Sequence, residues 1–343
     1  MISQTLKVTL WSKERTDPLI DQLLDELLKV QAELPDSGSR VVKIGGRKTR
    51  IARYQRDQYT IIAASENTDR VNSKKLMDQD INSVFSAAAT IDSSIRQAEQ
   101  RTRRLIHNLK SLTAKTSQEI FYLVGQDRML SDPKETINYI EGEIEKKPHE
   151  TAKAIIEILK HQAAQKAEYS AFEKLSGKIE SIKKENHDIH RVLMNVFYLF
   201  FGEFLDKKVK VSVDRTRLQA NFDYDSIHAC IYYLVENAAK YTMRNSTFNV
   251  FTTEDHNGYI DIRFEMESLA VTQEEQQKVF DEGFSGKSAI ANNLHGTGIG
   301  LYLAKAMATL NGATLNFTAG KPTINQSFAR NSFVLSLKEA VSG

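Results

Sequence analysis

Cysteine is almost absent from this chain. Cys230 stands alone among 343 residues, so no internal disulfide and no multi-cysteine metal site can form. That usage fits a reducing cytosol. There is no long apolar run and no signal-peptide pattern, and the longest apolar cluster, Val196 to Phe201, is far too short to span a bilayer. The expectation is a cytoplasmic protein with no membrane segment. An excess of one charge sign is missing too: the formal net charge is +2, which removes any bulk argument for nucleic acid or membrane. What is present is ordinary for folded domains, with 26% charged and 41% hydrophobic residues in a chain long enough for two or three cores.

Proline and glycine are missing from residues 72 to 124. Within that stretch Ile81, Val84, Phe85, Ala88, Ile91, Ile95 and Ala98 recur at steps of three and four, which predicts one long helix. Gly125 and Ser131-Asp132-Pro133 end it, a shorter helix follows, and a second long helix is expected from Pro148 to Ile182. Two long helices joined this way read as an antiparallel hairpin whose apolar stripe pairs with a second copy, so a homodimer is expected. Ahead of it, Asp17 to Leu34 reads as an amphipathic helix. Val41 to Ile44 and Ile51 to Tyr54 flank Gly45-Gly46 as a β-hairpin, and Tyr59 to Ala63 adds a third strand. Seven basic residues lie between Arg40 and Arg56. A solvated face or a partner-docking surface accounts for them better than nucleic acid, since no fold-specific motif accompanies them.

After Val192 the pattern becomes that of an α/β sandwich, a mixed, mainly antiparallel sheet with helices on one face. Strands are expected at Val209 to Val213, Phe222-Asp223, Phe248 to Phe251, Tyr259 to Phe264, Ala313 to Phe317 and Phe333 to Leu337. Helices are expected at Ser226 to Tyr241, Glu274 to Phe280 and Gly300 to Leu310. The domains are then residues 1–70 (helix plus basic hairpin, a sensor or partner-binding role), 71–185 (helical dimerisation) and 186–343. The fold class is α+β multidomain.

On the helix from Ser226, the side opposite the apolar face carries Tyr233, Glu236, Asn237, Lys240 and Tyr241. An Asn carbonyl and a Lys ammonium on one face suit a Mg²⁺–phosphate group, although a plain polar helix face has the same composition. A second motif narrows the choice. His295-Gly296-Thr297-Gly298-Ile299-Gly300-Leu301 sets alternate glycines directly before a helix, where free N–H groups and close backbone approach favour phosphate. Gly283-Phe284-Ser285-Gly286-Lys287-Ser288 imitates a P-loop, but Asp281 stands where the first glycine must be.

Residues 222–340 resemble the catalytic ATPase domain of sensor histidine kinases, the Bergerat-type sandwich shared with gyrase and mismatch-repair ATPases. Leu234 to Thr242 resembles its Asn box, Phe280 and Phe284 its Phe box, and Gly296 to Leu301 its second glycine box; His187 to Leu193 looks like the linker entering the domain. The resemblance implies ATP and Mg²⁺ as cofactors, with Asn237 as the metal ligand and Lys240 and Tyr241 near phosphates and adenine. Phe280, Gly296, Thr297, Gly298, Gly300 and Leu301 would line the site, and residues 285 to 295 would form the lid. Arg104 to Leu112 resembles the phospho-acceptor box, which implies His107 as acceptor, so that His107 and Lys240 are the candidate catalytic residues. A positioned neutral imidazole can attack a γ-phosphate with little further help. His187 and His190 are read as linker residues rather than metal ligands.

Three positions depart from the family. Met266 stands where an Asp would accept the adenine amino group, and a thioether is a weak acceptor. Asn108 replaces the acidic base after the acceptor, and Tyr233 replaces an Asn four residues before Asn237. The resulting expectation is a two-component kinase that autophosphorylates on His107 and passes phosphate to an Asp of a receiver-domain partner. The alternative is a pseudokinase acting as a nucleotide-binding sensor or partner-docking scaffold.

Overall fold

The computed structural model describes residues 6–23, 33–125, 132–175, 182–255, 257–294, 296–323 and 327–340. The chain divides into two compact units, Met1–Arg103 and Arg104–Gly343.

In the first unit, β1 (Lys7–Ser12), β2 (Ile20–Asp21), β3 (Gly38–Ile44), β4 (Arg47–Arg56) and β5 (Tyr59–Ser65) form one antiparallel sheet in the order β2-β1-β5-β4-β3. The expected hairpin turns at Gly45-Gly46, both with positive φ, as a two-residue turn between strands of right-handed twist requires. Alternation along the strands sends Val8, Leu10, Ala52, Ile61 and Ala63 to one face, where they meet Met77, Ile81 and Ala88. A short helix, α1 (Thr68–Asn72), leads into α2 (Lys74–Leu123), which carries those three residues. The helix expected from Asp17 does not begin there. Ile20-Asp21 pairs with β1 and the Leu19 N–H donates to the Leu10 carbonyl, so the leucine spacing serves strand pairing; residues 24–32 of that expectation lie outside the described residues. Of the seven basic residues, Arg40 and Arg47 pair with Glu33 and Glu66. Arg50 is buried and donates to the Arg70 and Val71 carbonyls, and Arg56 donates to Asn82. Much of that charge is therefore committed within the unit.

The second unit contains the C-terminal part of α2 from Arg104, then α3 (Pro133–Lys146) and α4 (Pro148–Leu175). Asp132 caps α3 by accepting from the Lys134 N–H, with Pro133 at the first helical position. Next come β6 (Lys184–Asp188), α5 (Ile189–Asp206), β7 (Lys210–Val213), β8 (Gln219–Asp223), α6 (Tyr224–Tyr241), β9 (Thr247–Asp255) and β10 (Tyr259–Leu269). Two short helices, α7 (Gln273–Gln276) and α8 (Lys287–Ala291), precede α9 (Gly300–Leu310), β11 (Thr314–Thr318), β12 (Pro322–Thr323) and β13 (Phe328–Lys338). The main sheet runs β11-β13-β10-β9-β7, with β12 beside β13; β7 and β9 are parallel and the other pairs antiparallel. The fold is α+β: a long helical element and a C-terminal sheet packed under helices.

One core binds this unit together, with Phe197, Phe200, Phe204, Phe222, Phe248 and Phe264 all fully buried. Each large aromatic removed from water contributes about 2–3 kcal/mol. Two expectations are corrected here. His187 to Leu193 is no linker: β6 pairs with β8, and Ile189, Val192 and Leu193 lie in the core. The helix expected over Glu274 to Phe280 ends at Gln276, because the chain tightens into three-residue turns (Lys278 N–H to Glu275, Asp281 N–H to Lys278) that set Phe280 against Phe333.

The second long helix also does more than pair within a hairpin. Its Ala164, Ala167 and Ala171 enter the core, and small residues let α4 come close to α5 and α6. Lys174, buried, makes an ion pair with Asp223 and donates to Ser226 Oγ at 3.1 Å. Asp223 is also the α6 N-cap, accepting from the Ser226 N–H at 2.9 Å. Burial opposes its charge, yet the Lys174 and Ser226 bonds prevail and hold its carboxyl at about 2.

Candidate functional site

Helix α6 is built by its apolar face: Ile227, Cys230, Ile231, Leu234, Val235 and Ala238 sink into the core and turn Glu236, Asn237, Lys240 and Tyr241 outward. Tyr233, expected on that polar side, is buried instead, beside Gly300 of α9, where an added Cβ would lie 3.6 Å from its ring. The outward residues form the wall of a cavity of about 450 Å³. Gly296, Thr297, Gly298, Gly300 and Leu301 close one side of it, and Asn108, Ser111 and Lys115 of α2 with Glu168 of α4 close another.

The glycines are there for steric reasons. Gly298 has φ +69°, and a Cβ there would sit 2.5 Å from the Phe284 carbonyl oxygen; the Gly283 N–H donates to the Gly298 carbonyl at 3.0 Å. Lys240 Nζ lies 2.9 Å from where a Cβ on Gly296 would be. Just beyond, α9 starts with no side-chain cap at Ile299, so its first N–H groups remain without a side-chain partner. Bare N–H groups at a positive dipole end, a nearby ammonium and glycines that admit close approach make a cradle for phosphate. Asn237 lines the same cavity and could hold a hard cation through its amide oxygen.

The titrating groups around the cavity are shifted. Water reaches Glu236 through the cavity, yet protein surrounds it on most sides. That crowding, with the Glu168 and Glu203 carboxylates nearby, pushes its carboxyl up to about 7. Burial raises the Glu168 carboxyl against the Asn108 amide that donates to it at 3.2 Å. Burial likewise lowers the Lys240 ammonium, which lies 5.2 Å from the centre of the Tyr241 ring.

A smaller cavity of about 100 Å³ continues from the first, sharing Asn237, Tyr241, Phe284 and Leu301, and ends against Ser268, Leu269, Ala270 and Asn331. Its outer wall is the segment expected as a lid. Ser288 Oγ donates to the Ala270 carbonyl, the Lys287 N–H to Glu275, and Tyr241 Oη to the Leu294 carbonyl; His295 lies outside the described residues.

Of the residues singled out in the sequence, Asn237, Lys240, Tyr241, Gly296, Thr297, Gly298, Gly300 and Leu301 come together on these cavities. Three do not line them. Met266 is buried in the sheet between Phe248 and Asn331. Phe280 packs against Phe333 with Lys305 over its ring. His107 is exposed on α2, one position from Asn108, which does face the cavity. Polar lining residues that sequence reasoning did not single out include Ser111, Lys115, Glu168, Ser268 and Asn331. Asn331 left a trace, since it is the polar residue in an inward series of Ala329, Phe333, Leu335 and Leu337. Glu168 left none, because its role depends on where α4 docks.

Residues 222–339 match the family of histidine kinase-, DNA gyrase B- and HSP90-like ATPases. The C-terminal domain is thus an ATPase domain of the kind sensor histidine kinases carry. Among individual proteins, the sensor protein KdpD of Clostridium acetobutylicum is 26% identical over 136 residues, 39% of this chain and 15% of that relative's length. Solved structures with similarity include a mycobacterial sensor histidine kinase, MprB (16% identity, TM-score 0.39, 46% of this chain and 98% of that one). The histidine kinase AdeS of Acinetobacter baumannii gives 14% identity and TM-score 0.40 over 68% of this chain and 96% of that one. Full-length ShkA, solved with AMPPNP, gives 14% and 0.43 over 71% and 46%. Among the described residues, no helix is long and apolar enough to cross a membrane.

Proposed function

We propose that this chain is a signalling kinase that binds Mg-ATP in the paired cavities and transfers its γ-phosphoryl group to His107. One observation carries the reading: Asn237, Lys240 and the Gly298 loop converge with the uncapped start of α9 on one cavity, inside a domain of the matching ATPase family. In the transfer, an imidazole nitrogen of His107 attacks the γ-phosphorus, the bond to the β,γ-bridging oxygen breaks, ADP leaves, and the imidazole gives up its N–H proton to solvent. Mg²⁺, held by Asn237 and phosphate oxygens, would neutralise charge on the leaving group. Lys240 and the α9 N–H groups bind the phosphates. The phosphohistidine then passes its phosphoryl group to an Asp of a receiver-domain protein. Exposed apolar residues on the helices, among them Phe121, Tyr122, Ile155 and Leu159, support a homodimer.

Incubation with γ-labelled ATP tests this. An acid-labile, base-stable label that disappears in His107→Gln supports it; no label under any condition overturns it.

A second reading is favoured by two placements. His107 is exposed outside the cavity lining, and Asn108 is engaged by Glu168. A protein fixed in that arrangement is a nucleotide-binding scaffold. Calorimetry with Mg-ATP that finds binding, beside an absent label, selects the scaffold.

A further inference from the structure

If phosphates occupy the larger cavity, as the nucleotide-binding reading requires, a base would lie in the smaller one. The polar side chains on the wall of that smaller cavity are Asn237, Tyr241, Ser268, Ser285, Ser288 and Asn331, with no carboxylate among them. Asn331 is 1% exposed and stands opposite Met266 in the sheet. Two backbone partners fix its amide: Nδ2 donates to the Leu269 carbonyl at 3.0 Å, and Oδ1 accepts from the Gly320 N–H at 3.1 Å. The second Nδ2 proton therefore points at Ser268 Oγ, 2.9 Å away. Ser268 is itself 7% exposed, and its own hydroxyl proton has no acceptor among the described residues.

That leaves Ser268 Oγ with one free lone pair and one free proton at the cavity wall. A hydroxyl proton rotates to suit its partner. It can accept from an amino group or donate to a carbonyl. A carboxylate in this pocket could only accept, so it would favour a 6-amino purine and repel a 6-oxo one. Resting on the nucleotide-binding reading, we propose that Ser268, oriented by Asn331, reads the base, and that the site takes 6-oxo purine nucleotides (guanine, hypoxanthine) as well as adenine nucleotides.

Titration of the full chain with Mg-ATP, Mg-GTP and Mg-ITP, followed by calorimetry, tests this. The expected result is three dissociation constants within about ten-fold of one another, a spread of roughly 1.4 kcal/mol. Ser268→Asp, an acceptor-only side chain beside the same Asn331 donor, should keep ATP and weaken GTP and ITP by about ten-fold or more, whereas Ser268→Thr should bind all three like the parent. A parent chain that prefers ATP by about a hundred-fold overturns the proposal and leaves the nucleotide site standing. Ser268→Asp with an unchanged ATP-to-GTP ratio also overturns it. If Ser268→Asp does not fold, the parent's ratio decides alone. Binding of none of the three removes both the proposal and the kinase reading.

Discussion

Gly298 shows how much of this site depends on single side chains, or on their absence. Its positive φ and the backbone of Gly283 and Phe284 around it leave no room for a methyl group. Gly298→Ala should therefore cost about 1–3 kcal/mol and displace the loop from phosphate, to be read as a lower melting temperature together with weaker nucleotide binding. Glu236 makes a prediction of opposite character. Its carboxyl is held at about 7, above the ordinary 4.5, so the folded state binds that proton more tightly than the unfolded one. The penalty is absent below about pH 4.5, where both states are protonated, and it is complete once pH rises past about 7. Glu236→Gln should leave stability at pH 5 nearly unchanged and raise it at pH 8, measured by denaturant unfolding at the two values. The residues of α6 and of the glycine loop that line the larger cavity were legible from spacing. Ser268 and Asn331, which line the smaller cavity, were not, because they meet only across neighbouring strands.

At the scale of elements, α4 is the one whose role changed most. Its sequence reads as half of a hairpin, but its small residues and Lys174 dock it onto α6, and this docking brings Glu168 to the cavity. Lys174→Met should cost about 3–5 kcal/mol, because it leaves Asp223 buried without its cation. Chemical denaturation with the double variant Lys174→Met, Asp223→Asn checks that reason: restoring balance should recover part of the loss. Asp223 also sets an acid limit. Its contribution is present above about 3.8 and is lost as pH falls through about 2. Helices α6 and α9 were expected from periodicity within two residues, and strands β9, β10 and β13 were expected in place but up to five residues short at one end, because each has one buried face. The helix expected at Asp17 and the full length of that at Glu274 were not found in the described residues, since a neighbouring strand and tight turns claimed the same apolar residues.

For the whole molecule, the proposed function predicts a linkage that needs no catalysis. Mg-ATP at a hundred times its dissociation constant should stabilise the second unit by about 2.7 kcal/mol, which for a unit of this size raises its melting temperature by roughly 5–10 °C. Differential scanning calorimetry should show that shift in one transition only, and Gly298→Ala should shrink it. The sequence by itself determined the chemistry on offer: a glycine-rich helix start, an Asn–Lys–Tyr helix face and a histidine-bearing helix. Those depend on residue type and on spacing along one element, which a linear chain displays in full. Only the tertiary structure decided which of them meet. It set Met266 into the sheet, turned Asn108 rather than His107 toward the larger cavity, and walled the smaller one with Ser268 and Asn331. Such contacts join residues far apart in the chain, Asn331 and Ser268 being 63 positions apart, and no local pattern records a distance of that kind.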